Sequence, residues 1–162
     1  MAKEKVQKTN AMRLLDAAGI SYSMASYEYD ESDLSGVHAA QELGVSEEEV
    51  FKTLVTRGDG NAFFVFVIPV AESLDLKKAA KASGNKSIEM IHVREMLDIT
   101  GYMRGGCSPI GMKKAFPTFI DETAELCDKI YFSAGKRGVQ IILEPEILAE
   151  VSNAQFCDLI KL

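Results

Sequence analysis

Tryptophan is absent from the 162 residues, histidine occurs twice, cysteine three times and proline four times. Cys107, Cys127 and Cys157 are widely spaced and form no C-x-x-C pair, which excludes both an even disulfide framework and a zinc site built from sequence neighbours. With only His38 and His92 besides, no metal centre and no cofactor is expected. Cys127 and Cys157 each stand beside apolar residues and are expected as buried core thiols. The longest apolar run, residues 62–71 (AFFVFVIPVA), is too short to cross a bilayer as a helix. The opening MAKEKVQKTN lacks the apolar centre of a secretory signal, so a cytoplasmic protein without membrane contact is expected. Paired carboxylates do not stand out, which removes glycosidase-type acid/base chemistry.

What is present suffices for one core: 47% of residues are hydrophobic, enough at this length for a single domain over residues 1–162. A net charge of −6 argues against broad, non-specific nucleic-acid binding. The charge is uneven, however. Residues 77–137 carry eleven Lys or Arg against seven Asp or Glu, whereas the rest carries seven against seventeen. A locally basic stretch on an acidic chain is compatible with one phosphate-bearing partner at a defined place, and equally with a solvated surface.

Pattern and punctuation predict a helix over 9–18 stopped by Gly19, a strand over 20–29 and an acidic loop over 30–35. A short helix over 37–43 ends at Gly44, and Ser46 caps a further turn. Strands over 50–56 and 62–70 flank Arg57-Gly58-Asp59-Gly60-Asn61, the clearest hairpin; the second is apolar at nearly every position and is expected to be central. Asp75 caps a helix over 75–82, followed by a short strand over 87–90 and a helix over 92–97. Strands over 117–121, 129–133 and 139–143 follow, the last two as a hairpin. Pro145 opens a helix to Ala149, and the tail adds a strand or helix. Hairpins mixed with short helices predict an α+β fold with a mixed or largely antiparallel sheet.

Three places could carry chemistry. Lys52 interrupts an apolar strand; it is either an edge-strand lysine snorkelling to water or a fixed cation at a cavity mouth. The stretch TGYMRGGCSPIGMKK, residues 100–114, gathers four glycines. Gly105 and Gly106 allow close backbone approach and inward-turned N–H groups, while Pro109 stiffens the far end and extends Ser108. It matches neither a phosphate-binding P-loop nor a dinucleotide fingerprint, so it reads as an oxyanion-type cradle or as a rigid surface loop. The turn Ser133-Ala134-Gly135-Lys136-Arg137-Gly138 is a plausible second pocket wall or an ordinary hairpin turn. No histidine accompanies Cys107, and no triad accompanies Ser108 or Ser133, so an enzyme nucleophile is not expected.

Taken together, VFKTLV, VIPVAESLDLKKAA, TGYMRGGCSPIGMKKAFPTFID and SAGKRGVQIIL resemble the YbaK/EbsC family of bacterial aminoacyl-tRNA deacylases, in this order and at these gaps. The resemblance covers essentially the whole chain. It implies a mixed, partly barrel-like sheet surrounded by short helices, a fold that also occurs as the editing insertion of prolyl-tRNA synthetases. It implies a cofactor-free hydrolase that removes cysteine from mischarged Cys-tRNA(Pro), beside prolyl-tRNA synthetase as partner. Lys52 would bind the terminal phosphate or ribose region, and Gly105 with Pro109 matches the family's G-x-x-x-P loop, whose amides, Gly106 and Ser108 included, would hold the aminoacyl carbonyl or terminal adenosine. Ser133 matches the small-residue turn that would face the aminoacyl group, and Tyr27 matches an aromatic near the pocket's entrance. In cysteine-specific members the substrate's own thiol attacks the ester, which matches the missing nucleophile. The pattern departs at Gln140, where the family carries an aspartate in the pocket lining, and near Leu34 and Ser35, where it carries a phenylalanine. Two other readings stay open: a deacylase of another small aminoacyl-tRNA, and a non-catalytic module holding a nucleotide or tRNA end.

Overall fold

The structure, a computed structural model, describes residues 7–162; the first part of the N-terminal stretch read above lies outside the described residues. Helix α1 (Asn10–Ala17) starts where Thr9 Oγ1 accepts the Met12 N–H at 3.2 Å, and it buries Ala11, Met12 and Leu15. Strand β1 (Ser23–Ser26) is shorter than the expected 20–29. It pairs with its neighbour only over those residues, and past Tyr27 the Asp30 carboxylate accepts the Ser32 N–H and hydroxyl, turning the chain away. Helix α2 (Gly36–Leu43) is capped by Ser35 at one end and left-handed Gly44 at the other.

The hairpin is as expected: β2 (Phe51–Arg57) and β3 (Phe63–Pro69) pair antiparallel, Phe51 opposite Pro69 and Arg57 opposite Phe63. Helix α3 (Leu76–Ser83) has its first amides, Lys77 and Lys78, bonded to the Asp75 carboxylate at 2.9 and 3.1 Å. Strand β4 (Glu89–Met90) touches only the far end of β2. The single helix expected over 92–97 is instead a tight turn, Val93–Glu95, followed by α4 (Met96–Thr100), because the Glu95 carboxylate folds back to accept the His92 N–H. Strands β5 (Thr118–Asp121), β6 (Ile130–Ser133) and β7 (Val139–Leu143) follow. Helix α5 (Pro145–Ser152) runs past Ala149 to a left-handed Asn153, and the tail forms β8 (Gln155–Cys157).

The strands form two sheets, ordered β1-β7-β6 and β4-β2-β3-β5-β8. The first is antiparallel; in the second, β3–β5 and β5–β8 run parallel. One parallel bridge, Val50 with Tyr131, joins β2 to β6, so the α+β fold rolls part-way without closing a barrel. Between the sheets lie Phe51, Val55, Val67 and Ile120 from one and Ile130, Phe132, Ile141 and Leu143 from the other, with α1 and Tyr102, Cys107 and Ile110 completing the same core. Each large side chain so buried contributes about 1.5–3 kcal/mol. A second core lies under α3, where the Phe66 and Phe119 rings stack at 5.4 Å. The thiols correct an expectation: Cys107 is the buried one, whereas Cys127 and Cys157 are only partly covered, because the elements that pack near them leave each segment partly at the surface.

Asp121 ties β5 to the tail: its carboxylate is fully buried and accepts the Leu159 N–H at 2.9 Å and the Thr123 N–H at 3.2 Å. Asp121→Ala leaves buried donors unmatched and is expected to cost about 2–4 kcal/mol. Urea unfolding would read this as a lower midpoint at unchanged slope.

Candidate functional site

Lys52 belongs to a row of side chains, and strand register defines it. In β2 the residues alternate: Phe51 and Val55 enter the core between the sheets, while Val50, Lys52 and Leu54 point to the other face. Val50 and Tyr131 are bridge partners and share a small apolar cluster on that face. The strands run parallel there, with the Tyr131 N–H bonded to the Glu49 carbonyl at 2.8 Å, and stay close beyond the bridge. Lys52 and Ser133 each stand two residues past that bridge, on the face that Val50 and Tyr131 share. Ser133 is paired with Gln140, and Gln140 with Ala25. Lys52, Ser133 and Gln140 therefore lie on one face of three neighbouring strands. Tyr27 joins them from the end of β1, held by its N–H to the Gly138 carbonyl at 2.9 Å and lying beside the Gln140 side chain.

Lys52 is half-buried and donates to the Val70 carbonyl at 3.2 Å. Burial holds its ammonium below the usual 10.5, with Glu72 pulling the other way. One of its three protons is thus committed and the charge is held in place. The Gln140 side-chain oxygen is buried without a hydrogen-bond partner among the described residues, and burial raises the Tyr27 phenol above its ordinary value. Ser133 is less free than its position suggests, because its hydroxyl accepts the Gly135 N–H at 3.2 Å.

The glycine loop closes over this row by two contacts. Gly105 is exposed, left-handed at φ 83°, and a methyl added there would lie 3.2 Å from the Leu34 side chain. Leu34 leads into α2, whose Gly36 packs on Val70, the residue that Lys52 holds. Gly106 lies against the backbone of Lys136 and Arg137, the turn just past Ser133. The loop thus meets Leu34, which leads into α2, on one side and Lys136–Arg137, just past Ser133, on the other. The loop's members differ in what they offer. The Gly106 N–H is spent on the Met103 carbonyl at 3.0 Å, and Ser108 and Pro109 are buried, so their side chains face the interior. The Gly105 N–H has no acceptor among the described residues. Burial drives the Cys107 thiol up to about 12, which removes it as a nucleophile at neutral pH.

Two residues outside the expected set reach the site. Leu34 is the one apolar side chain in the acidic run 30–35, and that isolation is a legible signal; Glu72 acts on Lys52 from a turn that has none. A cavity of about 830 Å³ shares Glu72 and Tyr131 with these surroundings and is lined also by Glu48, Glu49, Asp128 and Lys129; none of the expected residues lines it, and its excess of carboxylates opposes phosphate.

Among known proteins, the sequence model of the aminoacyl-tRNA editing domain matches residues 34–151. The chain belongs to the aminoacyl-tRNA editing domain family. A protein of Enterococcus faecalis, EbsC, named for a proposed Cys-tRNA(Pro)/Cys-tRNA(Cys) deacylase activity, is 49% identical over 98% of both chains. YwhH of Bacillus subtilis is 29% identical over 77% of this chain and 79% of its own. A crystal structure of a proposed trans-editing enzyme for prolyl tRNA synthetase shares the fold with a TM-score of 0.83 over 96% of this chain and 99% of its own, at 23% identity. The part that matches the editing domain includes Lys52, the glycine loop, Ser133 and Gln140, and it begins at Leu34, leaving Tyr27 outside. No helix among the described residues is long and apolar enough to cross a membrane, and no group of three His, Cys, Asp or Glu side chains able to hold a metal occurs among them.

Proposed function

We propose that this editing-domain protein is a trans-editing hydrolase that frees tRNA(Pro) from cysteine, working beside a prolyl-tRNA synthetase. What supports the reading is that Lys52, Ser133, Gln140 and Tyr27 share one face, with the glycine loop reached through Leu34: a fixed cation, one unspent amide and an unpaired buried acceptor, without an enzyme nucleophile. Cysteine and proline are close in size, and a pocket that discriminates by packing separates such pairs only about 10–200-fold, so a second site that clears the error is the physical remedy. Lys52 anchors the ribose or phosphate of the terminal nucleotide. The Gly105 N–H donates to the carbonyl oxygen as negative charge develops on it. Gln140 accepts from the substrate's α-ammonium; being uncharged, it does so without the charge attraction that an aspartate would add. Ser133 and Tyr27 bound the small side chain. Gly106, Ser108 and Pro109 act through the loop, holding Gly105 in its left-handed conformation.

The substrate's own thiolate attacks its ester carbonyl. The new C–S bond forms as the C–O bond to the ribose breaks, the ribose oxygen takes up a proton, and water then opens the resulting thiolactone to free cysteine. An acidic protein grips tRNA weakly, and a synthetase that already holds the tRNA supplies the missing affinity. Incubation with Cys-tRNA(Pro) and prolyl-tRNA synthetase is expected to speed loss of the ester well beyond spontaneous hydrolysis. An unchanged rate would overturn the reading, and binding without turnover would leave a tRNA-end module in its place.

A further inference from the structure

A second cleft, of about 690 Å³, opens beside the glycine loop, and Leu34 does not line it. Tyr27, Tyr29 and Met103 line it, together with Gly101, Gly106, Gly138, Lys136 and Arg137. Gly106 is shared: it walls this cleft while its neighbour Gly105 faces the site described above.

Three properties select the occupant. First, the cleft contains no carboxylate, and neither Lys136, Arg137 nor the adjacent Arg104 forms a salt bridge among the described residues. Arg137 commits only its Nε, to the Arg104 carbonyl at 2.8 Å, leaving the rest of its guanidinium available. Unpaired cations on a chain of net charge −6 are a local exception, in the stretch where positive charge is concentrated. Second, Tyr29 and Met103 are exposed large side chains, 46% and 58% accessible, and they flank those cations. Flat apolar surface beside unpaired cations is the combination that holds single-stranded nucleic acid: bases stack on the rings while phosphates meet the charges. Third, the cleft adjoins the site through Tyr27 and Gly106, so a strand lying in it leads to Gly105, the next residue of the loop.

We propose that this cleft is the track for the unpaired nucleotides just upstream of the aminoacylated adenosine at the tRNA 3′ end, Tyr29 stacking a base and Lys136 and Arg137 binding phosphates. This rests on the deacylase reading and extends it: Lys52 and Gly105 act on the ester, and the track supplies register for a longer substrate.

The test compares two substrates. The double variant Tyr29→Ala/Lys136→Ala spares the Arg137 bond and removes only exposed side chains. On Cys-tRNA(Pro) its kcat/KM is expected to fall about tenfold or more, and the slope of log kcat/KM against log salt to flatten by about 0.7 for the one lost phosphate contact. On cysteinyl-adenosine, which has no upstream nucleotide, the rate is expected to match that of the unaltered protein. Equal losses on both substrates, or no loss on either, would overturn the track. A third arm separates this proposal from the catalytic one. The chain has no tryptophan, so tyrosine dominates its intrinsic emission, and titration with an uncharged CCA trinucleotide reads binding without chemistry. Quenching that needs much more trinucleotide in the single variant Lys136→Ala, which keeps the Tyr29 ring as reporter, supports the track even if no ester is cleaved. Absence of quenching in the unaltered protein refutes the track even if deacylation proceeds.

Discussion

Lys52→Met is expected to reduce deacylation of Cys-tRNA(Pro) by at least about 100-fold, the order seen when one preorganised electrostatic contact to a reacting group is removed. It is expected to leave the melting temperature unchanged or higher. The two outcomes share a cause. Methionine fills much of the same volume beside Val70, so the packing survives. What disappears is a charge whose folded pKa lies below its unfolded value of 10.5 because burial disfavours it. A base with a depressed folded pKa binds fewer protons folded than unfolded in the window between the two values, so stability rises with pH across that window. Below it, at neutral pH, the charged lysine is a net cost that only its contacts with the Val70 carbonyl and Glu72 offset. A protein that keeps such a group exchanges stability for function. Deacylation kinetics and thermal melts on the same preparation check both halves. A variant that keeps full activity would remove Lys52 from the site, and one that unfolds would make the lysine structural.

Much of this was legible in the chain. Helix ends were, because their chemistry is local: the Asp75 carboxylate on Lys77 and Lys78, and left-handed Gly44. The β2–β3 hairpin was legible for the same reason. The parallel pairs β3–β5 and β5–β8 were not, since nothing in residues 118–121 specifies partners more than thirty positions away. The limits of β1 were set by β7, and the cover on Cys127 and Cys157 by which elements happened to pack near them, both non-local facts. In the site, Lys52 stood out as a charge in an apolar strand, yet its neighbour Ser133 follows from a single bridge between two sheets. The glycine loop announced itself by composition, but composition could not say that Gly106 would spend its amide on Met103 while Gly105 kept its own. Motif resemblance named the members; only the register put them on one face.

Replacing the substrate's sulfur is expected to have an effect at least as large as altering the protein. With Ser-tRNA(Pro), or with the cysteine thiol methylated, the rate should fall about 100-fold or more relative to Cys-tRNA(Pro), although both analogues fit a pocket of similar size. The expectation follows from what the site lacks. Cys107 is buried with its thiol pushed up to about 12, Ser108 is wholly buried, and the Ser133 hydroxyl already accepts a bond from Gly135. His38 lies on α2 near Asp33 and Glu42, outside the row. No side chain in the row is thus an activated nucleophile. A substrate thiol, with an ordinary pKa of about 8.5, is a few per cent ionised at neutral pH and intrinsically nucleophilic, whereas a serine hydroxyl is neither. Held against its own carbonyl it reacts without the entropy cost of a second molecule. The rate with Cys-tRNA(Pro) should therefore climb with pH as the thiolate fraction grows, and with the Lys52 ammonium nearby the midpoint should lie below that of the free thiol. Single-turnover deacylation of the three substrates across pH 6–9, each corrected for spontaneous hydrolysis, measures this directly. Comparable rates for the seryl and cysteinyl esters would mean that water attacks, and that the row positions a solvent molecule instead of aligning a thiol.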